Sequence, residues 1–272
     1  MISGYLLYKD GGIGVERIKR TLKNVAKIAL WATALFIFFI ELVLINHGGY
    51  VPTARQMLEW VALNECPFGF HLWYLYAYMY VLVIVLFIDM YKLWRWLFMS
   101  VPLLLLLTDI AFFVAFYKEY SSIYVRNFLF VGLSYFALGA LLKAKDISRA
   151  ANKYILLGGV ILFYISSTLE DNQLDSIGRN SVKEHYVSST FLALCLFWFL
   201  LSVKLERPNV ISRIGEKDSL YIYLLHPLFI WILSTLFMKV GMNALYTWIA
   251  PFAVLGCTLA FIYCLRRVKL LE

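Results

Sequence analysis

Long apolar runs separated by short polar loops constrain this chain more than any other feature of its sequence. A helix that crosses the hydrocarbon core of a bilayer needs about 20 mostly apolar residues. Hydrophobic residues make up 62% of the chain and charged residues 15%, against about 45–50% and about 25% in soluble domains. We therefore expect a single membrane-embedded domain over residues 1–272. Its eight apolar segments lie at about 22–46, 70–88, 96–116, 126–142, 154–169, 186–203, 219–238 and 245–265.

These segments are expected to be helices. Lipid offers the backbone no hydrogen-bond partner, so only helices or closed barrels satisfy every N–H and C=O group within the membrane. Barrel strands would alternate apolar and polar residues, whereas the run from Val101 to Leu107 does not alternate. The sequence thus predicts an all-α polytopic transmembrane helical bundle of about eight spans.

Lysine and arginine are distributed unequally between the two sets of loops. Of the 25 residues, six lie in loops on one side, and the other nineteen lie in the terminal segments and the loops on the opposite side. Because cytoplasmic loops retain these residues, both termini are predicted to be cytoplasmic, in a membrane such as the bacterial plasma (inner) membrane. The net charge of +8 does not indicate nucleic-acid binding, since the basic residues are not gathered on one surface. The four cysteines show no metal-ligand spacing, and no metal site is predicted.

A histidine and several aromatic residues cluster at the predicted outer start of the second segment. At helical spacing, His71, Tyr74 and Tyr78 fall on one face, and Trp73 falls on a neighbouring face. A sugar packs its C–H faces on such rings while its hydroxyl groups bind polar atoms. The alternative is an aromatic belt at the membrane interface, although a belt does not require an imidazole. The cluster is a candidate substrate-binding site.

Basic residues form a stripe at the start of the first segment. Arg17, Arg20, Asn24 and Lys27 recur on one helical face. Arginine binds phosphate oxygens with two parallel hydrogen bonds, so the stripe is a candidate site for a nucleotide-bearing donor such as acyl-CoA. Anchoring of the helix on the cytoplasmic side explains the same residues equally well.

Three ionisable residues lie within the apolar segments: Glu41, Asp109 and His226. Such residues face protein or a water-filled cavity, and each is a functional-site hypothesis. Pro227 frees a backbone carbonyl beside His226. A catalytic and a structural role stay open for His226, whereas a structural role between helices is favoured for Asp109.

Several motifs, taken in their order along the chain, resemble the acyltransferase-3 family of integral membrane acyltransferases. The opening Ile2-Ser3-Gly4-Tyr5-Leu6-Leu7 is similar to the end of that family's second helix, although an interfacial anchor is an alternative reading. Four further motifs complete the resemblance: Arg17-Ile18-Lys19-Arg20, the His-Leu-Trp-Tyr-Leu core of 69–76, the Tyr-Phe-Ala-Leu-Gly end of 126–139, and the Tyr-Leu-Leu-His-Pro end of 219–227.

The resemblance implies a bundle that moves an acyl group, acetyl in particular, from cytoplasmic acyl-CoA to a hydroxyl of a cell-surface or exported saccharide. Acyl-CoA is then a co-substrate, and no bound cofactor or metal is implied. Arg17 and Arg20 would hold the acyl-CoA phosphates, and His71 with Tyr74 would contact the acceptor. Glu41 would line the cavity.

The family's first helix carries the histidine usually regarded as the catalytic base, and it has no counterpart before Met1. The catalytic residue is therefore unassigned, with His71 and His226 as candidates. We expect little transferase activity unless one of them serves as the base. A transporter or a catalytically inactive membrane scaffold is the alternative function.

Overall fold

A computed structural model of the protein describes residues 1–9, 11–44, 49–121, 124–146, 152–177, 185–203 and 209–268. The apolar segments within these ranges are helical, which confirms the all-α fold class. A 3₁₀ turn (Phe70–Leu72) precedes the helix that begins at Trp73, and a π-helical segment (Phe128–Leu133) precedes the helix that begins at Ser134. The helices are α1 (Ile2–Leu7), α2 (Val15–Leu44), α3 (Ala54–Leu63), α4 (Trp73–Met90), α5 (Trp94–Lys118), α6 (Ser134–Ala144), α7 (Lys153–Ser176), α8 (Val187–Ser202), α9 (Val210–Lys239) and α10 (Asn243–Arg267).

Each predicted apolar segment coincides with a helix. Among the described residues, two apolar helices are shorter than a typical span: Phe128–Ala144, which joins the π-helical segment to α6, and α8. The polytopic helical bundle is confirmed, while the count of eight spans and the cytoplasmic termini stay predictions. Within the described ranges, six helical stretches are long and apolar enough to cross a membrane: Val15–Val43, Phe70–Met90, Trp94–Lys118, Lys153–Ser176, Val210–Lys239 and Asn243–Arg267.

Helix α3 lies outside the predicted segments. It begins after Thr53, whose hydroxyl accepts a hydrogen bond from the backbone N–H of Gln56, while the Gln56 side chain accepts one from the Thr53 N–H. This reciprocal capping satisfies two N–H groups at the helix start. The helix has 10 residues and carries an amphipathic pattern, so a search for long apolar runs does not detect it.

The chain divides into two compact units, Met1–Lys204 and Leu205–Glu272. In the first unit the core forms where α4 packs with α5 and α6, around side chains such as Leu82, Leu97 and Phe136. The second unit is a hairpin of α9 and α10. The aromatic cluster and the basic stripe both belong to the first unit.

Helices α1 and α6 approach each other closely enough to require glycine on both sides of the contact. A Cβ atom on Gly4 would lie 2.0 Å from the carbonyl oxygen of Phe136, and one on Gly139 would lie 3.0 Å from the backbone nitrogen of Tyr5. Small residues allow this kind of approach between membrane helices. The packing favours the reading of the first residues as a helix of the bundle over an interfacial anchor.

Asp89, near the end of α4, fixes the loop that leads into α2. Its carboxylate accepts hydrogen bonds from the backbone N–H groups of Ile13 (2.9 Å) and Gly14 (3.1 Å). It also accepts one from the indole N–H of Trp94 (2.8 Å). These bonds hold the start of α2 beside the turn between α4 and α5, and this placement positions Arg17.

Candidate functional site

Three of the predicted substrate-binding residues line one small cavity in the first unit. Trp73, Tyr74 and Tyr78 lie on the first turns of α4, and the rings of Tyr74 and Tyr78 stack with their centroids 6.1 Å apart. The cavity has a volume of about 90 Å³. Ser3 of α1 and Tyr135 of α6 form part of its other walls. These three aromatic side chains thus lie together beside one cavity.

Arg126, which forms an ion pair with Glu65, contacts the ring of Trp73. The guanidinium carbon of Arg126 lies 5.5 Å from the centroid of the Trp73 ring, and Nη2 of Arg126 lies 3.3 Å from Oε1 of Glu65. The Asn64 amide donates to the Trp73 carbonyl (3.4 Å) and accepts from the N–H of Phe128 (2.9 Å). The end of α3, the start of α4 and the π-helical segment are therefore linked, and a cation–π contact orients the indole.

His71 lies in the turn before α4 rather than in the helix itself. Its side chain is buried, with 6% exposure. The imidazole packs against the rings of Phe36 (centroids 4.6 Å apart) and Phe70 (5.8 Å). His71 is not among the described residues that line the cavity beside Tyr74. The structure brings Trp73, Tyr74 and Tyr78 together at the cavity, and it places His71 in an aromatic environment next to α2.

The buried thiol of Cys66 precedes this turn. Burial raises the pKa of the Cys66 thiol, because the low-dielectric surroundings disfavour the thiolate. Only the thiolate is a good nucleophile. Cys66 therefore has the environment of a structural cysteine.

The two arginines of the basic stripe differ in their surroundings. Arg17 donates hydrogen bonds from its guanidinium to the carbonyl groups of Leu7 (3.0 Å) and Leu6 (3.2 Å) at the end of α1. These carbonyls are among those that a helix leaves without partners at its C-terminus. Arg20, almost one turn further along α2, is exposed. Arg17 thus fastens α1 to α2, while Arg20 presents its side chain outward.

Glu41 lies near the opposite end of α2. Its side chain is exposed, and its carboxylate accepts a hydrogen bond from the backbone N–H of Tyr50 at 3.1 Å. A Cβ atom on Gly49 would come within 2.7 Å of the same carboxylate. Glu41 therefore contacts the chain that follows α2.

His226 belongs to the second unit. Its Nδ1 atom lies 2.9 Å from the carbonyl oxygen of Tyr223 and 3.0 Å from that of Ile222. Since a carbonyl only accepts, Nδ1 carries the proton. The imidazole also lines an apolar groove of about 560 Å³ between α9 and α10.

A buried pair of a histidine and a carboxylate lies between α5 and the start of α8, and its histidine, His185, is absent from the sequence-based candidates. Nε2 of His185 is 2.9 Å from Oδ1 of Asp109, and their side chains are 9% and 15% exposed. Oγ1 of Thr190 lies 3.3 Å from both of these atoms and 3.0 Å from the hydroxyl of Tyr135. A hydrogen-bonded chain thus runs from His185 to Tyr135, a residue that also lines the cavity beside Tyr74.

Asp109 and His185 line a second and larger cavity, of about 270 Å³. Its walls come from α5, the second half of α7 and the start of α8. Glu170 of α7 accepts hydrogen bonds from the N–H groups of Val187 and Ser188 (3.2 Å each), which caps α8 and fixes its start against α7. The wall combines these acidic groups with aromatic and amide side chains: Phe112, Phe113, Phe116, Tyr117, Gln173 and Tyr186.

Sequence reasoning missed His185 because its partner is 76 residues away along the chain. A histidine in a polar loop gives no signal by itself. Asp109 did give a signal, since a carboxylate within an apolar segment needs a polar partner. The structure identifies that partner as His185.

The fold and these cavities define a polytopic membrane protein with polar groups enclosed between its helices. The chain matches the acyltransferase-3 family, described as an acyltransferase domain, over residues 1–267. The protein belongs to this family and is an integral membrane acyltransferase by class. Comparisons with curated proteins and with solved structures give no match.

Proposed function

We propose that the protein transfers an acyl group, acetyl in particular, from cytoplasmic acyl-CoA to a hydroxyl of a cell-surface or exported saccharide. The observation that carries the proposal is the small cavity beside Tyr74 and Tyr78, in a chain of the acyltransferase-3 family. A water molecule's share of liquid volume is about 30 Å³, so a cavity of about 90 Å³ has room for roughly three waters. An acetyl group is of similar size, whereas a sugar ring is larger.

The rings of the small cavity are assigned to the acyl group. Tyr74 and Tyr78 present stacked faces, and Trp73 is oriented by Arg126. Such rings bury apolar surface while their polar atoms find hydrogen-bond partners. A short acyl chain packs against them.

Arg20 is assigned to the phosphate groups of acyl-CoA. It is exposed on the first turns of α2, on the side of the membrane that the charge distribution predicts to be cytoplasmic. Its planar guanidinium matches phosphate oxygens with two hydrogen bonds. Arg17 uses part of its guanidinium on α1, so its contribution to the donor site is to position α2 beside α1.

A transporter and an inactive scaffold are the competing functions. Transporters commonly contain inverted repeats with paired broken helices. The family match favours a transferase, and a cavity as small as about 90 Å³ suits an acyl group better than passage of a saccharide.

The test is acyl transfer by the purified protein in lipid nanodiscs, with radiolabelled acetyl-CoA and a mixture of methyl glycosides and envelope oligosaccharides as acceptors. A transferase yields label in saccharide esters. In sealed vesicles, a transporter moves saccharide without esterifying it, and a scaffold does neither. A folded protein that forms no labelled ester contradicts the proposal.

Arg20→Lys tests the donor site in the same assay. We expect the KM for acetyl-CoA to rise on the order of tenfold, because lysine does not reproduce a bidentate contact with phosphate. Lys19→Arg is the matched control and leaves the KM unchanged, because Lys19 lies about 100° around α2 from Arg20 and pairs with Glu16 at 3.1 Å. An unchanged KM in Arg20→Lys would support anchoring of the helix and contradict the donor site.

A further inference from the structure

We propose that His185 is the general base that activates the acceptor hydroxyl, that Asp109 positions it, and that the cavity between α5, α7 and α8 holds the sugar unit bearing that hydroxyl. The inference rests on the proposed acyl transfer and names the base and the acceptor subsite for it. It concerns residues that the sequence motifs of the family resemblance do not include.

Asp109 determines which nitrogen of His185 is basic. An ionised carboxylate only accepts hydrogen bonds, so Nε2, 2.9 Å from Oδ1 of Asp109, carries the ring proton. Nδ1 is then the nitrogen with a lone pair. When Nδ1 takes up a proton, the carboxylate also stabilises the resulting imidazolium. Base and orienting group thus have the relationship that general-base catalysis requires.

Ser189 lies 3.5 Å from Nδ1 of His185, but its geometry is that of a helix cap rather than of a nucleophile. Its hydroxyl donates to the carbonyl of Tyr186 at 2.6 Å, and its oxygen accepts from the N–H of the same residue at 3.1 Å. The serine proton is therefore engaged by the backbone. This leaves Nδ1 to take a proton from a hydroxyl that enters the cavity.

The lining of the cavity has the character of a sugar site. Its volume of about 270 Å³ lies near the lower end of the range for small-molecule sites, roughly 300–1,000 Å³. The rings of Phe112, Phe116 and Tyr186 offer surfaces on which the C–H faces of a sugar pack. Glu170 and Gln173 offer polar atoms for its other hydroxyl groups.

Charge favours a neutral ligand over an anionic one. Two carboxylates, Asp109 and Glu170, line the cavity, so an anion would meet like charge. Among the residues that the structure describes, the titratable groups around the imidazole are these two, from α5 and α7, together with the phenols of Tyr135 on α6, Tyr117 on α5 and Tyr186 before α8.

Tyr135 links the small cavity to the Asp109–His185 pair. Its side chain lines the small cavity assigned to the acyl group, and its hydroxyl lies 3.0 Å from Thr190, the residue that contacts Asp109 and His185. The ring centroids of Tyr135 and His185 are 6.3 Å apart. Tyr135 and Thr190 therefore link the cavity assigned to the acyl group with the pair assigned to the acceptor hydroxyl.

In the proposed step, Nδ1 of His185 takes the proton of the acceptor hydroxyl while the hydroxyl oxygen attacks the carbonyl carbon of the thioester. The new C–O bond forms, the C–S bond breaks, and CoA leaves as a thiolate with the electron pair. The imidazolium then returns its proton to the thiolate. Acyl-CoA supplies the acyl group, so the step needs no oxidant or further co-reactant.

His185→Gln and Asp109→Asn test the pair in the acetyl-transfer assay. Removal of a positioned base costs about 10²–10⁴-fold in kcat/KM. Asp109→Asn gives a comparable loss, because an amide that donates to Nε2 moves the ring proton to Nδ1. The double variant has a kcat/KM no lower than that of the less active single variant, since the two residues act as a unit. Asp146→Asn is the control and keeps wild-type activity. Asp146 is exposed, and asparagine tolerates its backbone φ of 46°.

Two measurements separate a catalytic role from a structural one. The wild-type pH profile of kcat/KM falls at acidic pH as the imidazole becomes protonated, and His185→Gln lacks this acidic limb. Added imidazole restores transfer in His185→Ala, because it enters the space left by the side chain. A variant that folds, keeps the acidic limb and transfers acetyl within threefold of the wild-type rate overturns the inference, while the proposed function stands.

Chemical labelling of His185 with diethyl pyrocarbonate, read by mass spectrometry, does not depend on turnover. A saturating mixture of methyl glycosides is expected to slow this labelling in the intact protein. If glycosides protect His185 in the wild-type protein but the protein transfers no acetyl group, the result contradicts the proposed function and supports the saccharide site. Labelling that the glycosides do not slow contradicts the acceptor cavity, whether or not the protein transfers acetyl.

Discussion

In α9 a histidine takes over a hydrogen bond that a proline removes. Pro227 has no N–H group, so the carbonyl of Tyr223 four residues earlier loses its helical donor. Nδ1 of His226 lies 2.9 Å from that carbonyl. A backbone group without a partner is costly in a bilayer. The His-Pro sequence is thus explained as a means of continuing a helix through a proline, and this reading gives His226 a structural role.

We expect His226→Phe to lower the stability of the protein by about 1–2 kcal/mol, because the carbonyl loses its donor. His226→Gln keeps a side-chain donor and is expected to retain most of the stability. Unfolding in detergent micelles measures both variants, and the acetyl-transfer assay is run on each. If His226→Gln abolished transfer without loss of stability, His226 would be a catalytic candidate again.

At the scale of residues, sequence patterns located the site only in part. The i, i+4 spacing of Tyr74 and Tyr78 predicts a shared face, and both rings line one cavity. His71 lies in a 3₁₀ turn, whose geometry differs from that of the helix assumed for it. His185 required a contact with Asp109 on a distant segment, which no local pattern contains.

At the scale of helices, the glycines of α1 and α6 are the most sensitive positions of the first unit. A Cβ atom at either position would overlap the backbone of the opposite helix. We expect Gly139→Ala to destabilise the protein by about 1–3 kcal/mol, the usual cost of overpacking. It also disturbs the small cavity, because α1 and α6 form its walls.

Gly158→Ala is the matched control for this prediction. A Cβ atom there meets no atom within 4 Å, and alanine is favoured over glycine in a helix by about 0.5–1 kcal/mol. Thermal unfolding in detergent compares the two variants. Equal stability of Gly139→Ala and Gly158→Ala would contradict the close contact between α1 and α6.

Helices were the most predictable part of the fold. Lipid leaves apolar runs few alternatives to helix, so every predicted segment coincides with one. Helix ends were less predictable: the first segment was expected from about residue 22, whereas α2 begins at Val15 because polar first turns carry no hydropathy signal. The capping box at Thr53 was present in the sequence and marks α3, but it is a weaker signal than an apolar run.

At the scale of the whole molecule, the distribution of lysine and arginine predicts which ends of the helices face the cytoplasm. Single cysteines introduced at Asp146, before the start of α7, and at Ser176, the last residue of α7, test this prediction. An impermeant maleimide applied to intact cells is expected to label position 176 and not position 146. Labelling after membrane disruption is the control for reactivity at both positions. The reverse pattern would contradict the orientation.

Transfer of an acyl group from the basic side of the bilayer to a saccharide on the other side is the central claim. Its most direct test uses sealed proteoliposomes whose orientation is known from the labelling of position 146, with acetyl-CoA on one side and glycosides on the other. Acetylated glycoside is expected when acetyl-CoA is on the side of the basic loops, and not when it is on the opposite side. Ester formation at equal rates from either side, or no ester from a folded protein in either arrangement, would contradict the account.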